Sequence, residues 1–440
     1  MLDRNIMKDL ITWKKGKNRK PLILKWARQV WKSFIVKKFW ENNFGKTFEI
    51  NFQSNSKVCK IFEDGDISAS NIIEKIEYFF GNIIDLEKDL LFFDEIQECP
   101  KAINSLKFFC EETPKLAIIW AWSYLWLIQN EESFPVWKVS FLSMYPLNFE
   151  EFLKAVNQNL YKVYKKINIE KVDDFYHNEF LKELKLYFEV WGMPEIIKLF
   201  LSEKNNLKAL TKARQAQLNL IEWYKSDFSK YSGTVNAGHI LSVYESIPFQ
   251  LAKNYDESVN KFKFGGVIPK RKWFESINWP LTWLSKSRLI IKNFIANKAK
   301  NPIKWYIKEN YFKVFFHDIW LLNASLETPI WSIINENLWD YKWYIVENFV
   351  AQELFCIYDK DLISWNEWQS EIEFLVNKKN DIIPIEVKSS KKYRRAKSLD
   401  SYITRYNPKY AYKLTAQNYG KSKSYETIPL YMIGKLFPKN

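Results

Sequence analysis

Cysteine, histidine and long apolar runs are scarce in this 440-residue sequence, and each shortage excludes a class of protein. The four cysteines are scattered without paired spacing, which argues against a disulfide framework and predicts a reducing cytoplasm. The three histidines are far apart and lack metal-ligating neighbours. The longest apolar stretch, residues 116–128, is about five residues short of a membrane span. Residues 1–10 lack the apolar core of a secretory signal, so we expect none.

Glycine is also scarce, and tryptophan is abundant. The chain has 11 glycines and 20 tryptophans. Together the two types make up about 7% of the chain, the share that glycine alone usually takes. The tryptophan excess therefore matches the glycine deficit in size.

What is present describes a basic globular protein. Apolar residues make up 47% and charged residues 27% of the sequence, which excludes a disordered chain. The length allows two to four domains. The net charge of +15 suggests an anionic partner such as nucleic acid, but the lysines are spread along the whole chain. A solvated basic surface would give the same count.

A candidate phosphate-binding loop lies near the N-terminus. The apolar run of residues 20–25 predicts a buried strand, and the pattern around Phe34, Ile35 and Phe39 predicts an amphipathic helix. The intervening segment has the spacing and the Lys-Ser pair of the P-loop, G-x-x-x-x-G-K-[ST], but tryptophan replaces both glycines. The predicted nucleotide-binding residues are Trp26, Ala27, Arg28, Gln29, Val30, Trp31, Lys32 and Ser33.

Tryptophan at the two glycine positions conflicts with the chemistry of such a loop. The loop wraps backbone N–H groups around phosphates, which requires positive φ angles and close approach of bare backbone. An indole at Trp26 or Trp31 would fill the space of the phosphates. Either the site is inactive, or the tryptophan letters are wrong.

Two further segments predict the remainder of a nucleotide site. The apolar run of residues 89–93 predicts a second buried strand, which ends in Asp94 and Glu95. This pair suits Mg²⁺ coordination by the aspartate and positioning of water by the glutamate. A third strand, residues 116–122, is followed by Ser123, which is either a γ-phosphate sensor or a plain strand-end serine.

The sequence resembles a family of prokaryotic AAA-type ATPases with an uncharacterised C-terminal domain. By that resemblance Lys32, Ser33, Asp94 and Glu95 carry the nucleotide site, with ATP and Mg²⁺ as ligands. The matching stretches follow the family's order over nearly the whole chain: PLILKWARQVWKS, LLFFDEIQECPKAINSLKFF, FPVWKVSFLSMYPLNFEEFL, VWGMPE, YKSDFSKY, FKVFFHDIWLL, VENFVAQEL and IIPIEVKSS.

The departures from this family share one form, tryptophan in place of glycine. They occur at Trp26, Trp31, Trp40, Trp120, Trp122, Trp126, Trp137, Trp191, Trp320 and Trp343. Random substitution would not repeatedly choose the largest side chain for positions of the smallest. We hypothesise that the gene uses UGA for glycine and was translated with a code that reads UGA as tryptophan. Trp283 and Trp365 look authentic. The alternative is a degenerate, inactive ATPase.

The middle of the chain is predicted to be helical and then mixed. Residues 150–231 have repeated apolar positions and few helix breakers. Residues 234–291 alternate short helices with turn-like pieces at Pro248, Gly265-Gly266, Pro269 and Pro280. This part resembles the family's winged-helix-like segment, which can contact DNA or protein.

The C-terminal region contains a second candidate site. Residues 371–376 predict a half-buried strand, and a polar turn separates it from a second strand, residues 383–388. Two such strands can bring Glu373, Glu386 and Lys388 together. Restriction-endonuclease-like folds use this arrangement: the carboxylates hold Mg²⁺, and the lysine stabilises the charge on phosphorus.

By the same resemblance, Glu347 on the preceding helix matches a further acidic position of that fold. Glu373 stands where the family usually has aspartate. The alternative for the whole cluster is a charged hairpin edge without chemistry. The basic run of residues 388–397 could track a phosphate backbone or form a soluble surface.

The fold class predicted is therefore α/β. The predicted domains are an AAA-type ATPase core (1–150), a helical extension (151–233), a winged-helix-like domain (234–325) and a restriction-endonuclease-like domain (326–440). The predicted function is Mg²⁺-dependent ATP hydrolysis that rearranges the other domains on a nucleic-acid or protein partner. The alternatives are an ATP-gated nuclease and a nucleotide-dependent interaction module without turnover. We expect no membrane association, and an oligomer is compatible with the sequence.

Overall fold

The chain divides into two compact units, Met1–Pro146 and Leu147–Asn440. The computed structural model describes residues 3–26, 32–63, 65–122, 137–190, 192–203, 206–253, 261–329, 343–368, 370–378, 380–388 and 396–438. No helix within these ranges is both long and apolar enough to cross a bilayer.

Unit 1 is built on one parallel five-stranded sheet. Its strands are β1 (Leu22–Trp26), β2 (Thr47–Asn51), β3 (Leu90–Asp94), β4 (Ala117–Trp122) and β5 (Ser140–Met144), in the spatial order β2-β3-β4-β1-β5. All neighbouring pairs are parallel, so the carboxyl ends of the strands share one edge. In such sheets ligands bind outside that edge, where the strand order reverses.

Four helices of unit 1 connect and cover these strands. They are α1 (Ile6–Lys15), α2 (Lys32–Asn43), α3 (Ala69–Phe80) and α4 (Lys101–Glu112). Because a parallel sheet is covered on both faces, its central strands are continuously apolar, and every residue of β3 is buried. The predicted order of strand, Lys-Ser helix and second buried strand is confirmed.

Unit 2 begins with helices. They are α5 (Phe149–Val156), α6 (Gln158–Lys166), α7 (Asp174–Val190), α8 (Pro194–Ser202), α9 (Asn206–Ser232), α10 (Thr234–Lys253) and α11 (Glu275–Lys286). The prediction of turn-like pieces at Pro248 and Pro280 is wrong, because these prolines lie inside α10 and α11. A proline costs a helix one backbone hydrogen bond. Burial of neighbours such as Ile247 and Leu281 offsets that cost.

Two sheets and further helices complete unit 2. One sheet has the order β7-β6-β8-β9, and the other has the order β10-β11-β12-β14-β13. The strands are β6 (Ile290–Ala296), β7 (Ile307–Phe316), β8 (Leu362–Glu367), β9 (Ser370–Ile372), β10 (Phe374–Lys378), β11 (Asp381–Val387), β12 (Tyr412–Thr415), β13 (Gly420–Lys421) and β14 (Glu426–Pro429). The helices are α12 (Ile319–Ser325), α13 (Trp343–Tyr358), α14 (Lys397–Tyr406) and α15 (Ile433–Leu436). The predicted α/β class is confirmed.

The predicted single strand over residues 371–376 is wrong in one respect. The chain leaves the first sheet after Ile372 and enters the second sheet at Phe374, so Glu373 is the junction. Its backbone carbonyl accepts a hydrogen bond from the Asn293 side chain at 3.1 Å instead of from a strand neighbour. Ile372 and Phe374 are both buried, each in a different sheet, and this divides the strand.

Candidate functional site

The first candidate site lies at the carboxyl edge of the unit 1 sheet. Lys32 is the first residue of α2, which follows β1, and its Nζ lies 3.0 Å from Glu95 Oε1. The same ammonium also donates to Asp94 Oδ1, at the end of β3. Glu95 adopts a left-handed backbone conformation with φ 52°, which turns the chain away from the strand. The predicted lysine and acidic pair therefore meet.

This site is largely withdrawn from water. The side chains of Lys32 and Asp94 are 10% and 6% exposed. Burial raises the pKa of Asp94, and the nearby Lys32 ammonium opposes that rise. Burial and then the charge of Asp94 likewise raise the pKa of Glu49. Sequence reasoning did not find Glu49, because an acidic residue within an alternating edge strand carries no motif.

The structure describes only some of the other residues predicted for this site. Ser33 is described and is solvent-exposed. Ala27, Arg28, Gln29, Val30 and Trp31 lie outside the described residues, and so does Ser123. Trp26 is buried at the end of β1, and the Lys32 ammonium lies 4.4 Å from the centre of its ring. An indole therefore contacts the cation expected to bind phosphate.

Several tryptophans occupy positions that suit glycine better. Trp137 has a φ of 73° and Trp368 a φ of 60°, a region that residues with a side chain rarely adopt. Trp120 is 1% exposed, and its indole N–H has no hydrogen-bond partner among the described residues, but the same is true of Trp365, which was taken as authentic, so this feature does not mark a glycine position. The sequence analysis identified Trp120 and Trp137 as glycine positions but missed Trp368.

Of the other tryptophans named from the sequence, the two taken as authentic are tightly packed, and the rest lie in helices or outside the described residues. Trp365, taken as authentic, is fully buried against Tyr402 with ring centres 5.1 Å apart. Trp283 is also fully buried and packs edge-on against Phe228 at 5.4 Å. Trp40, Trp320 and Trp343 are placed within helices, whereas Trp31, Trp126, Trp191 and the side chain of Trp122 lie outside the described residues.

The second candidate site lies in unit 2, where β10 begins and β11 ends. Lys388 Nζ is 3.1 Å from Glu373 Oε1 and 3.2 Å from Glu386 Oε1. Glu373 Oε2 also accepts the backbone N–H of Val387 at 3.1 Å, which fixes the carboxylate against β11. The three residues predicted to converge are therefore in contact.

Glu347 lies close enough to this cluster for the charge of Glu373 to raise its pKa, and it pairs with a lysine that sequence reasoning missed. Lys313 on β7 lies 2.9 Å from Glu347 on α13 and 2.6 Å from Glu371 on β9. Lys313 and Glu347 are each 2% exposed. Asn348 orients this helix by bonding both backbone groups of Phe316, at 2.9 and 3.0 Å. A lysine on a distant strand gives no local signal.

The charges within the cluster influence one another. Burial raises the pKa of Glu347 to about 7 although Lys313 opposes the rise, and burial raises the pKa of Glu386 to about 7 although Lys388 opposes it. Burial lowers the pKa of Lys388, but Glu373 and Glu386 outweigh that effect and hold it above its usual value. Lys413 on β12 is paired in register with Glu386 on β11. Lys413 is 2% exposed, and burial lowers its pKa.

One oxygen of the cluster is unsatisfied. Glu386 Oε2 is buried and has no hydrogen-bond partner among the described residues. No group of three or more acidic, cysteine or histidine side chains arranged to hold a metal ion occurs in the described ranges. Mg²⁺ usually keeps several waters and needs only one or two protein carboxylates. The carboxylates of Glu373 and Glu386, with the unsatisfied oxygen, fit that requirement.

Comparison with known proteins identifies two regions of the chain. Residues 18–153 match the AAA domain family, and residues 344–433 match a domain of unknown function, DUF4143. The first match covers most of unit 1 and the start of unit 2. No curated protein matches the sequence.

Two solved structures illustrate the structural similarity. PCH-2 from C. elegans is 10% identical, with 50% of this chain and 70% of PCH-2 covered at a TM-score of 0.30. A RuvB variant from Thermotoga maritima is 12% identical, with 68% and 90% covered at a TM-score of 0.33.

Proposed function

We propose that this protein is a Mg²⁺-dependent ATPase whose reaction takes place at the edge of the unit 1 sheet. The meeting of Lys32 with Asp94 and Glu95 is the observation that carries the proposal. In this assignment Lys32 contacts the β- and γ-phosphates, Glu95 positions the attacking water, and Ser123 senses the γ-phosphate. The segment Trp26–Ser33 supplies the backbone that surrounds the phosphates.

Ser33 and Asp94 would hold the Mg²⁺ ion. Both offer oxygen ligands, which Mg²⁺ prefers, and the buried Asp94 carboxylate already attracts the Lys32 cation. When bound, the ion would offset negative charge on the phosphates. In the nucleotide complex Lys32 would contact the phosphates, and the Asp94 carboxylate would be available to the metal.

This proposal requires a phosphate-binding loop without side chains at residues 26 and 31. We assign glycine to these two positions, and to Trp120 and Trp137, through reading of UGA as glycine in the source organism. The left-handed backbone of Trp137 and the contact of the Trp26 ring with the Lys32 ammonium support the assignment. Codons UGG at positions 26 and 31 would contradict it and favour an inert relative of an active enzyme.

Hydrolysis would act on the remainder of the chain and its partner. We assign residues 151–233 to a helical extension, 234–325 to a winged-helix-like part and 326–440 to a restriction-endonuclease-like part. The nucleotide state of the AAA domain would act on these parts and on their nucleic-acid or protein partner, and residues 234–325 and 326–440 would move together because β6 and β8 pair within one sheet. A cytoplasmic location and an oligomer of AAA domains belong to the same proposal.

Replacement of Glu95 by glutamine separates binding from turnover. In a chain with glycine at positions 26 and 31, we expect Glu95→Gln to lower kcat by at least about 100-fold, because the amide cannot activate water. ATP affinity should change little, since glutamine keeps the size of glutamate. Phosphate release and calorimetric ATP binding measure the two effects.

The matched control for that experiment is Glu98→Gln. Glu98 is exposed and lies three residues farther along, so both turnover and binding should be unchanged. The chain with glycine at positions 26 and 31 and with Glu95 intact provides the decisive comparison. If that chain binds ATP tightly without turnover, hydrolysis is contradicted and a nucleotide-dependent interaction module is favoured.

A second function, ATP-gated nuclease activity, is favoured by the contacts among Glu373, Glu386 and Lys388. Glu373 and Glu386 would hold Mg²⁺, which would activate water for attack on a phosphodiester. Lys388 would stabilise the charge on phosphorus, and Glu347 would hold Lys313 beside the cluster. The succession of α13, antiparallel β10–β11, α14 and parallel β12 supports a restriction-endonuclease-like fold for this region.

The nuclease function predicts metal-dependent plasmid nicking that requires Lys388. We expect Lys388→Ala to reduce nicking at least about 100-fold, because the developing negative charge loses its cation. Agarose gels of supercoiled plasmid with Mg²⁺ or EDTA measure the activity. Lys409→Ala removes an exposed lysine outside the cluster and should leave nicking intact. Equal activity in the Lys388 variant would identify a structural charge cluster.

A further inference from the structure

The net charge of the protein is concentrated in unit 2. Residues 1–146 contain 21 lysines and arginines against 19 acidic residues, whereas residues 147–440 contain 45 against 32. Unit 1 is therefore nearly neutral, and the basic character belongs to the second unit. An anionic partner that recognises the chain through charge would bind there.

Within unit 2, seven exposed cations lie in two groups around the β6–β7 hairpin. None of them forms a salt bridge within the described residues, although Arg271 donates to the Ser276 carbonyl at 3.4 Å and Lys304 lies close enough to Asp361 for their charges to interact. The first group precedes α11 and consists of Lys270, Arg271 and Lys272. The second group occupies the loop between β6 and β7 and its exit, and consists of Lys298, Lys300, Lys304 and Lys308. We call the two groups together the basic ribbon.

Both groups are attached to the same pair of strands. Phe312 on β7 packs against Phe264 at 6.0 Å and Phe274 at 6.1 Å, and its carbonyl accepts the Phe262 N–H at 2.8 Å. These contacts hold the chain around residues 270–272 against the middle of β7. Lys308 is four residues away along the strand, about 13 Å. The two groups therefore lie along one ribbon, on the order of 20 Å apart.

The hairpin loop is held in place. The Asn301 side chain donates to the carbonyl of Asn380 at 2.7 Å, and the Asn377 amide donates to Asn301 Oδ1 at 2.7 Å. Ala299 and Ile303 are buried beneath the loop. The lysines are thus presented on a fixed support, and little ordering of the loop is needed for binding.

We propose that the basic ribbon binds the phosphate backbone of a nucleic-acid duplex. Clustered, exposed lysines on a fixed loop repel one another, and a regular row of phosphates neutralises them while releasing counterions. A protein interface usually has an apolar centre, whereas the loop buries its aliphatic residues and exposes mainly lysine and asparagine. Trp305 is also exposed in this loop.

Duplex binding by the full chain without nucleotide tests this assignment. The probe is a fluorescent 30-base-pair DNA duplex, with duplex RNA, single-stranded DNA and polyglutamate in parallel. We expect the combined change of Lys298, Lys300, Lys304 and Lys308 to glutamine to weaken duplex binding about 10- to 100-fold at low salt. The slope of log Kd against log salt should fall by about 3 to 4. Arginine at the four positions should retain binding.

The matched control removes the same charge from another part of unit 2. Lys162, Lys166, Lys171 and Lys423 are exposed, and their combined change to glutamine should leave affinity within about threefold. Equal losses in both variants, or no duplex binding by the unaltered chain, would overturn the proposal. Binding of polyglutamate in place of duplexes would assign the face to an acidic protein instead. This experiment does not measure ATP turnover, so its result can be interpreted even if the ATPase proposal fails.

Discussion

A chain with glycine at positions 26 and 31 is expected to bind ATP at least about 100-fold more tightly than the chain as written, a difference of about 2.7 kcal/mol. Removal of both indoles frees the space for the phosphates and allows the positive φ angles that the loop requires. It also frees the Lys32 ammonium from the ring of Trp26. Calorimetry with Mg²⁺ and ATP measures the affinity.

Other tryptophans provide controls with opposite expected signs. Trp283→Gly should lower the free energy of unfolding by about 3–5 kcal/mol, because a fully buried ring is lost. Trp137→Gly and Trp368→Gly should each raise it by roughly 1 kcal/mol, since the left-handed backbone no longer carries a side chain. Thermal unfolding separates these cases. Undetectable ATP binding by a well-folded glycine chain would contradict the phosphate-loop assignment.

Lys313→Met is expected to lower the free energy of unfolding by about 3–5 kcal/mol. The substitution leaves Glu347, which is 2% exposed, as an uncompensated buried carboxylate beside Glu371. Part of the loss should be avoided at low pH. Burial already raises the pKa of Glu347 to about 7, and without the lysine it should rise further. Protonation below that pKa removes the buried charge, so the deficit should be larger at pH 8 than at pH 5.

A double variant and a surface control make this measurement specific. Glu347→Leu in the Lys313→Met background should restore most of the lost stability, because an apolar pair replaces the stranded charge. Lys182→Met breaks an exposed pair with Glu179 and should cost less than about 1 kcal/mol. Chemical denaturation at both pH values gives the free energies. A loss in Lys313→Met no larger than in Lys182→Met would show that the buried pair is energetically unimportant.

The meeting of Lys32 with Asp94 and Glu95 was predictable because its signals are local. The Lys-Ser pair begins a helix directly after a buried strand, and Asp94 and Glu95 directly follow another. Parallel strands place both signals at the same edge of the sheet, so their contact follows from strand order. Glu49 and the exact register were not predictable, because many strand orders are compatible with the same apolar runs.

The second site was predictable only in part. Glu373, Glu386 and Lys388 share one hairpin, and the spacing along two adjacent strands brings them together. Lys313 and Lys413 come from strands that precede and follow the hairpin by many residues. The break at Glu373 also escaped the alternation of residues 371–376, because a period of two does not tell one sheet from two.

By itself the sequence determined the α/β class, the phosphate-loop spacing and the conflict between tryptophan and that loop. These features depend on residues within a few positions of one another, where backbone geometry alone relates them. The tertiary structure alone decided that Lys313 pairs with Glu347 and Glu371, that Glu373 joins two sheets, and that seven exposed cations lie in two groups around one hairpin. Such contacts depend on which distant segments pack together, and that choice is made by the burial of the whole core.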